Sequence, residues 1–372
     1  MNNATAGANL PALRSHNTAL VLGLLRTATV ADGEGISRLE LAERTALTPQ
    51  AVSKIVARLR ADGLVDEAGR GAPTGGKPRT LLRLARRARY AVGVHLDRDE
   101  VTVLLADLAG ETTDARTAPL DLGRPAAEVL HAVADLVRAT VADTPGASGA
   151  VLGAGVASPG PLDHRSGALL RITGFPAWDG YPLRDALADR LGLPVVLDKD
   201  TNAAALSVLS PPDRTGPGDS FGYLHLGSGL GAGLVLGGTL HRGARTGAGE
   251  FGHQAVALDG PRCACGNLGC LEALCLAAVG RGDHAGAARV LGLGAANLVS
   301  LLDIDRVVLG GRTVLARPEL FRSEVAAAMD ARTRRSAGRT VPVALVPDGA
   351  RAVARGAALL ALAPLFGQTA GG

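Results

Sequence analysis

The stretch 252-GHQAVALDGPRCACGNLGC-270 packs one histidine and three of the chain's four cysteines into nineteen residues, with glycines between them. One imidazole with three thiolates is the donor set of closed, four-coordinate structural zinc; a catalytic zinc keeps one position open for water. His253, Cys263, Cys265 and Cys270 would fill all four positions. A redox pair would favour C-x-x-C over the C-x-C found here, and a cluster of buried free thiols is the remaining alternative. Cys275, on the helix-like run that follows, is left unassigned. Two carboxylates bracket the loop, Glu250 in "GAGEFGH" and Glu272 in "GCLE". A metal there would hold both in register beside one cleft.

The pattern around this loop is α/β. From Tyr90 come three strand-like runs, "YAVGVHL", "EVTVLLADL" and "TTDARTAPL", then the helix-like "PAAEVLHAVADLVRATVADT" and the apolar strand "AVLGAGVAS". Helix "YPLRDALADRLG", strand "PVVLDKD" and helix "TNAAALSVL" follow. A second half starts the same way, with "SFGYLHLGS" and "GAGLVLGGTL", and closes with alternating helices and strands through "DRVVLGG" and "VPVALV". Strands leading into alternating helices and strands, twice over, predict two α/β lobes with a cleft between them. Ligands of such sheets bind at the carboxyl ends of strands. Asp200 lies at such an end, where it would accept a hydrogen bond or a proton from a bound hydroxyl, or simply cap a helix. "GSGLGAG" offers Gly227, Gly229, Gly231 and Gly233 as a turn of backbone amides suited to an anion such as phosphate, although glycine-rich hairpins often only turn.

The first ninety residues read differently. "NTALVLGLLR" puts Leu20, Val21, Leu24 and Leu25 on one helical face, and "SRLELAERTAL" follows Ser37 as N-cap with Leu39, Leu41 and Ala42 inward. In "TPQAVSKIVARLRADGLV", Thr48 caps, Pro49 takes the first helical position, and Val52, Ile55, Val56 and Leu59 form the buried stripe up to Gly63. Two short helices joined by "TALTPQ" make a helix-turn-helix. The second helix would present Gln50, Ser53 and Lys54 to base edges, with Arg58 near the phosphates. "GLVDEAGRGAPTGGKPRTLLRL" then reads as two strands around a basic, glycine-rich wing, with Arg70, Lys77 and Arg79 placed for phosphates or the minor groove. A helical protein–protein module is the alternative.

Charge supports a DNA-binding head: residues 1–88 carry 13 Lys/Arg against 7 Asp/Glu, and the remainder 26 against 28. A length of 372 residues implies more than one core. With 47% hydrophobic and 20% charged residues, the chain reads as soluble and globular. The pattern supports neither a signal peptide nor a membrane span, and clustered thiols suit a reducing compartment. The expectation is a cytoplasmic protein, nucleoid-associated when bound to DNA, with no membrane partner.

In their order, "GSGLGAG", "GAGEFGH", "CACGNLGCLE" and "VVLGG", behind a winged helix-turn-helix, resemble the ROK family of repressors and sugar kinases over nearly the whole chain. The resemblance implies a winged helix-turn-helix over residues 1–86. A two-lobed, actin-like (ribonuclease H-like) sugar-kinase domain follows over 87–372. It also implies structural Zn2+ on His253, Cys263, Cys265 and Cys270, and sugar contacts from Asp200, Glu250, His253 and Glu272. Departures bear on activity. Where family kinases have D-x-G-G-T, this chain has "HLDRD", with His95 for the Asp and Asp97, Arg98 and Asp99 for Gly-Gly-Thr. Bulk and two carboxylates there oppose a triphosphate, so Asp200 is expected to be a vestigial base. Lys199 replaces the family's Asn before that Asp and would favour a sugar phosphate or sugar acid, or else point to solvent. In "GFPAW", Gly174 stands for the Asn of N-L-x-x-W while Trp178 is kept. The segment after Glu272 is shorter than in the family, which implies a trimmed lobe. Together these features predict a sugar-responsive regulator, acting on a double-stranded operator as a homodimer or homotetramer and without kinase activity. An active glucokinase-like enzyme fused to a DNA-binding head is the alternative.

Overall fold

The computed structural model describes residues 10–31, 35–70, 79–172, 174–209, 219–337 and 340–367. The head opens with helix α1 (Leu10–Ala31), strand β1 (Ile36–Ser37) and helices α2 (Arg38–Thr45) and α3 (Pro49–Ala61). Strands β2 (Val65–Arg70) and β3 (Thr80–Leu84) complete it, in a three-stranded sheet of order β1-β3-β2. The expected caps are present. Ser37 and Glu40 form a reciprocal capping box, and the Thr48 hydroxyl accepts from Ala51 N ahead of Pro49. The α3 stripe is buried at Val52, Val56 and Leu59, as its spacing predicts. Of the other expected inward residues, Leu24 and Ile55 are half-buried, and Leu20 and Leu39 are each 40% exposed. On α1 the buried face instead runs through Val21, Leu22 and Leu25, because this helix is packed from two sides.

The second side belongs to the body. One hydrophobic cluster joins Val21, Leu22, Leu25, Leu82 and Leu84 of the head to Ala91, Leu104, Ala106 and Leu108, and to the C-terminal residues Ala354, Ala358, Leu362 and Phe366. Arg26 is buried within this junction, donates to Ala109 O at 3.0 Å and lies over the Phe366 ring.

The body repeats one topology. In lobe I the strands are β4 (Tyr90–Leu96), β5 (Glu100–Asp107), β6 (Thr112–Pro119), β7 (Val151–Ser158) and, beyond the small hairpin β8 (Leu162–Asp163) and β9 (Ala168–Leu169), β10 (Val195–Lys199). Helix α4 (Ala126–Ala142) precedes β7, α5 (Leu183–Leu191) precedes β10, and α6 (Asp200–Leu209) leaves it. Lobe II has β11 (Phe221–Leu226), β12 (Leu230–Leu236), β13 (Thr239–His241), β14 (Arg306–Gly310) and β15 (Val343–Leu345). Its helices are α7 (Leu271–Gly280), α8 (His284–Leu302), α9 (Arg312–Leu315) and α10 (Pro318–Ala337), and α11 (Ala352–Leu362) follows. The sheet orders are β10-β7-β4-β5-β6 and β13-β12-β11-β14-β15. In each, an antiparallel three-strand meander is extended by two parallel strands.

Helices α6 and α11 lie between the lobes in a core with Tyr223, Val235 and Val353. Helix α11 rests directly on sheet backbone: a Cβ at Gly93 or Gly155 would stand 1.9 or 1.8 Å from the carbonyl oxygens of Ala354 and Ala357. Only glycine permits that approach. The segments 284–302 and 349–366 are long and apolar enough to span a bilayer, but 50% and 67% of them is buried inside the protein. They are core helices here. Helices α7 and α8 are joined through residues 281–283, and the lobe II sheet has five strands among the described residues.

Candidate functional site

Strand β10 delivers Lys199 and Asp200 to the interlobe cleft, and the β11–β12 turn faces them from lobe II. The walls enclose a cavity of about 180 Å³ lined by Lys199, Asp200, Glu250, His253 and Glu272 among others. All five sequence-predicted ligand residues therefore meet in one place. Burial raises the Asp200 carboxyl above the ordinary range, while its Oδ1 accepts from Thr201 N at 2.6 Å. Glu272 Oε2 accepts from Leu230 N at 2.8 Å, which fixes the head of α7 against the β11–β12 turn. Lys199 does not point to solvent. Its side chain is 3% exposed, and Nζ donates to Ala248 O and, at 3.3 Å, to Glu250 Oε1.

Only part of the glycine-rich turn meets the cavity. Gly229 and Gly231 line it together with Ser228; Gly227 and Gly233 do not. Gly233 is required for packing, since a Cβ there would lie 2.1 Å from Thr201 O on α6. The turn after β4, residues 97–99, is tied to lobe II by two contacts. Asp97 is buried and accepts from Arg98 N and from Ser228 Oγ of lobe II. Asp99 takes a salt bridge from Arg312 of lobe II at 2.7 Å. His95 is buried with no hydrogen-bond partner at Nε2 among the described residues, and desolvation lowers it to about 4, partly opposed by Asp97. Sequence reasoning missed the Arg312 and Ser228 contacts because both are long-range. Trp178, kept from the family motif, is a core residue whose Nε1 donates to Leu122 O.

The four thiol and imidazole groups converge. Cys263 N donates to Asn267 O and Gly266 N to Cys263 O, so "CACGN" closes a tight turn that turns Cys263 and Cys265 towards Cys270. Gly269 packs on Ala257, whose carbonyl oxygen a Cβ would approach to 1.6 Å. The ligand atoms of His253, Cys263, Cys265 and Cys270 all lie within 4.8 Å of one another. Cys263 Sγ is 3.7 Å from His253 Nδ1, and Cys265 Sγ is 3.7 Å from Cys270 Sγ. A tetrahedral zinc with ordinary bond lengths separates its ligand atoms by about 3.5–3.8 Å. The cluster fits such an ion, with Nδ1 of His253 on the metal side and the ring on the cavity wall. Cys275 lies apart, buried on α7 with its thiol towards Ala287 O.

In the head, Gln50, Ser53, Lys54 and Arg58 are all exposed on α3, and Arg79 is exposed at the base of the wing. Arg58 donates to Thr18 of α1, so it also ties two head helices together. Lys77 lies outside the described residues.

The ROK family pattern matches residues 91–280, and a winged helix-turn-helix DNA-binding pattern matches residues 29–66. The chain is 32% identical over 249 residues to a xylose repressor of Caldicellulosiruptor bescii, an alignment that covers 67% of this chain and 62% of that protein. The match thus spans less than two thirds of that relative. A ROK hexokinase from Thermus thermophilus is similar at 29% identity and TM-score 0.59, over 73% of this chain and 97% of its own. A ROK family transcriptional regulator, a homologue of the E. coli MLC protein, shares the fold at TM-score 0.72 and 22% identity, over 94% of this chain and 97% of its own.

Proposed function

Since this chain belongs to the ROK family, we propose that it is a DNA-binding repressor whose kinase-like body senses a small sugar or sugar derivative without phosphorylating it. One observation carries the reading. The nucleotide-phosphate position holds buried His95 and Asp97, with Asp99 bound across the cleft to Arg312, while the adjacent cavity keeps Asp200, Glu250, His253 and Glu272. Carboxylates at that position repel a triphosphate, and a base without a phosphoryl donor transfers nothing. Occupancy of the cavity then changes lobe closure, and the core shared by α1 and α11 passes the change to the head.

Zn2+ on His253, Cys263, Cys265 and Cys270 is structural in this reading and sets the positions of Glu250 and Glu272. The protein acts in the cytoplasm on a double-stranded operator. It is a homodimer or homotetramer, because paired heads reading near-palindromic half-sites need a symmetric assembly.

A gel shift on DNA flanking its own gene, at fixed ionic strength and with a panel of sugars and sugar phosphates, tests the reading. Operator release by one compound is expected. A second reading, an active sugar kinase with a DNA-binding head, is favoured by the raised Asp200 carboxyl, which suits a general base. Carbohydrate-stimulated ADP release would establish it.

A further inference from the structure

Lys199 is a buried cation whose surroundings specify what may lie beside it. Strand β10 holds it in register with Ser158 of β7, and its stem crosses Gly160, where a Cβ would stand 2.9 Å from Lys199 Cδ. That packing places the ammonium at the cavity wall between the lobes. Two of its three N–H groups are taken by Ala248 O and Glu250 Oε1, both from lobe II. The third remains to be donated, and the 43% exposed Glu250 side chain keeps acceptor capacity beside it.

We propose that the Lys199–Glu250 pair determines the specificity of this cavity by reading an un-ionised hydroxyl, which confines the effector to uncharged sugars and polyols. The proposal rests on the sensor reading above and narrows it. A hydroxyl both donates and accepts, so it satisfies an adjacent donor and acceptor together. A ligand carboxylate or phosphate would face Glu250, and a ligand ammonium would face Lys199. The rest of the wall points the same way. Among the described residues, the carboxylates Asp97, Asp200, Glu250 and Glu272 line the cavity with the basic side chains Arg98 and Lys199, and the charge of Lys199 is matched by Glu250. On this proposal the lysine does not recruit an anion, unlike the sugar phosphate or sugar acid expected from sequence.

The test is calorimetric titration of the full-length protein with glucose, xylose, N-acetylglucosamine and glucitol, alongside glucose 6-phosphate, glucuronate and glucosamine. At least one uncharged compound is expected to bind, and the charged compounds at least about tenfold more weakly than it. Glu250→Gln leaves Lys199 unmatched and should shift the glucuronate-to-glucose preference at least about tenfold towards glucuronate. Lys199→Met leaves Glu250 unmatched and should shift preference towards glucosamine. Thermal melting and metal content establish that each variant is folded, and either folded variant suffices. Tighter binding of the phosphate or the uronate by the unaltered protein overturns this proposal and leaves the sensor reading standing. An unchanged charge preference in a folded variant also overturns it. Binding of none of the compounds overturns the sensor reading, and this proposal with it.

Discussion

Arg312, at the start of α9 in lobe II, donates from Nη1 to both carboxylate oxygens of Asp99 in lobe I, at 2.8 and 2.7 Å. In the proposed reading Asp99 takes the place of a small phosphate-loop residue, and the pair bridges the two lobes beside the cavity. The side chains are 42% and 60% exposed, so the bridge has a steric and electrostatic consequence without a large energy. Asp99→Ala should change unfolding free energy by less than about 1 kcal/mol in urea titration. It should also leave hexose phosphorylation absent, because His95 and Asp97 still occupy the loop. A D99A protein that turned over ATP with a hexose would contradict the assignment of this loop.

His95 makes a pH-dependent contribution whose sign is fixed by its burial. Desolvation holds its pKa at about 4, below the ordinary 6.5, so the unfolded chain binds the extra proton first. Stability from this group is complete above pH 6.5 and is lost as pH falls towards 4, with a slope of up to about 1.4 kcal/mol per pH unit. Urea midpoints measured between pH 7 and 4.5 should show a shallower acid loss for His95→Gln than for the unaltered chain. Equal slopes would mean that His95 is charged in the folded protein.

Local chemistry made most of this fold legible. The Ser37 and Thr48 caps, the Pro49 start and the strand-like runs from Tyr90 onward are all short-range signals, and each corresponds to an observed element. The metal cluster was legible for the same reason, since its donors fall within one loop and its flank. What could not be read depends on approach between distant segments. Nothing in "LDKD" reveals that Ala248 and Glu250 of the other lobe meet Lys199, so the sequence leaves solvent open as its surroundings. Gly233 resembled a phosphate-loop glycine but is required by the Thr201 carbonyl of α6. Leu20 and Leu22 exchanged roles because α1 packs on the body as well as on the head, a contact absent from any helical wheel.

Zinc is expected at about one ion per chain in the purified protein, measured by elemental analysis. Cys265→Ser leaves three ligands and should abolish retention during dialysis against chelator. Since His253 and Glu272 flank the same loop, effector affinity should fall by roughly tenfold or more with the metal. Full effector affinity in metal-free protein would detach the cavity from the cluster.

The exposed face of α3 makes two substitutions distinguishable. Lys54 and Gln50 are both solvent-facing and neither supports the core formed by Val52, Val56 and Leu59, so replacing either should leave folding intact. If Lys54 contacts phosphate, Lys54→Ala weakens binding to all sequences alike and lowers the magnitude of the salt slope by about one. If Gln50 reads adenine, Gln50→Ala costs about 1–3 kcal/mol on the operator and little on unrelated DNA, so the specificity ratio falls. Gel shifts at several salt concentrations on operator and scrambled DNA separate these outcomes. Unchanged operator affinity in both variants would remove Gln50 and Lys54 from the DNA interface.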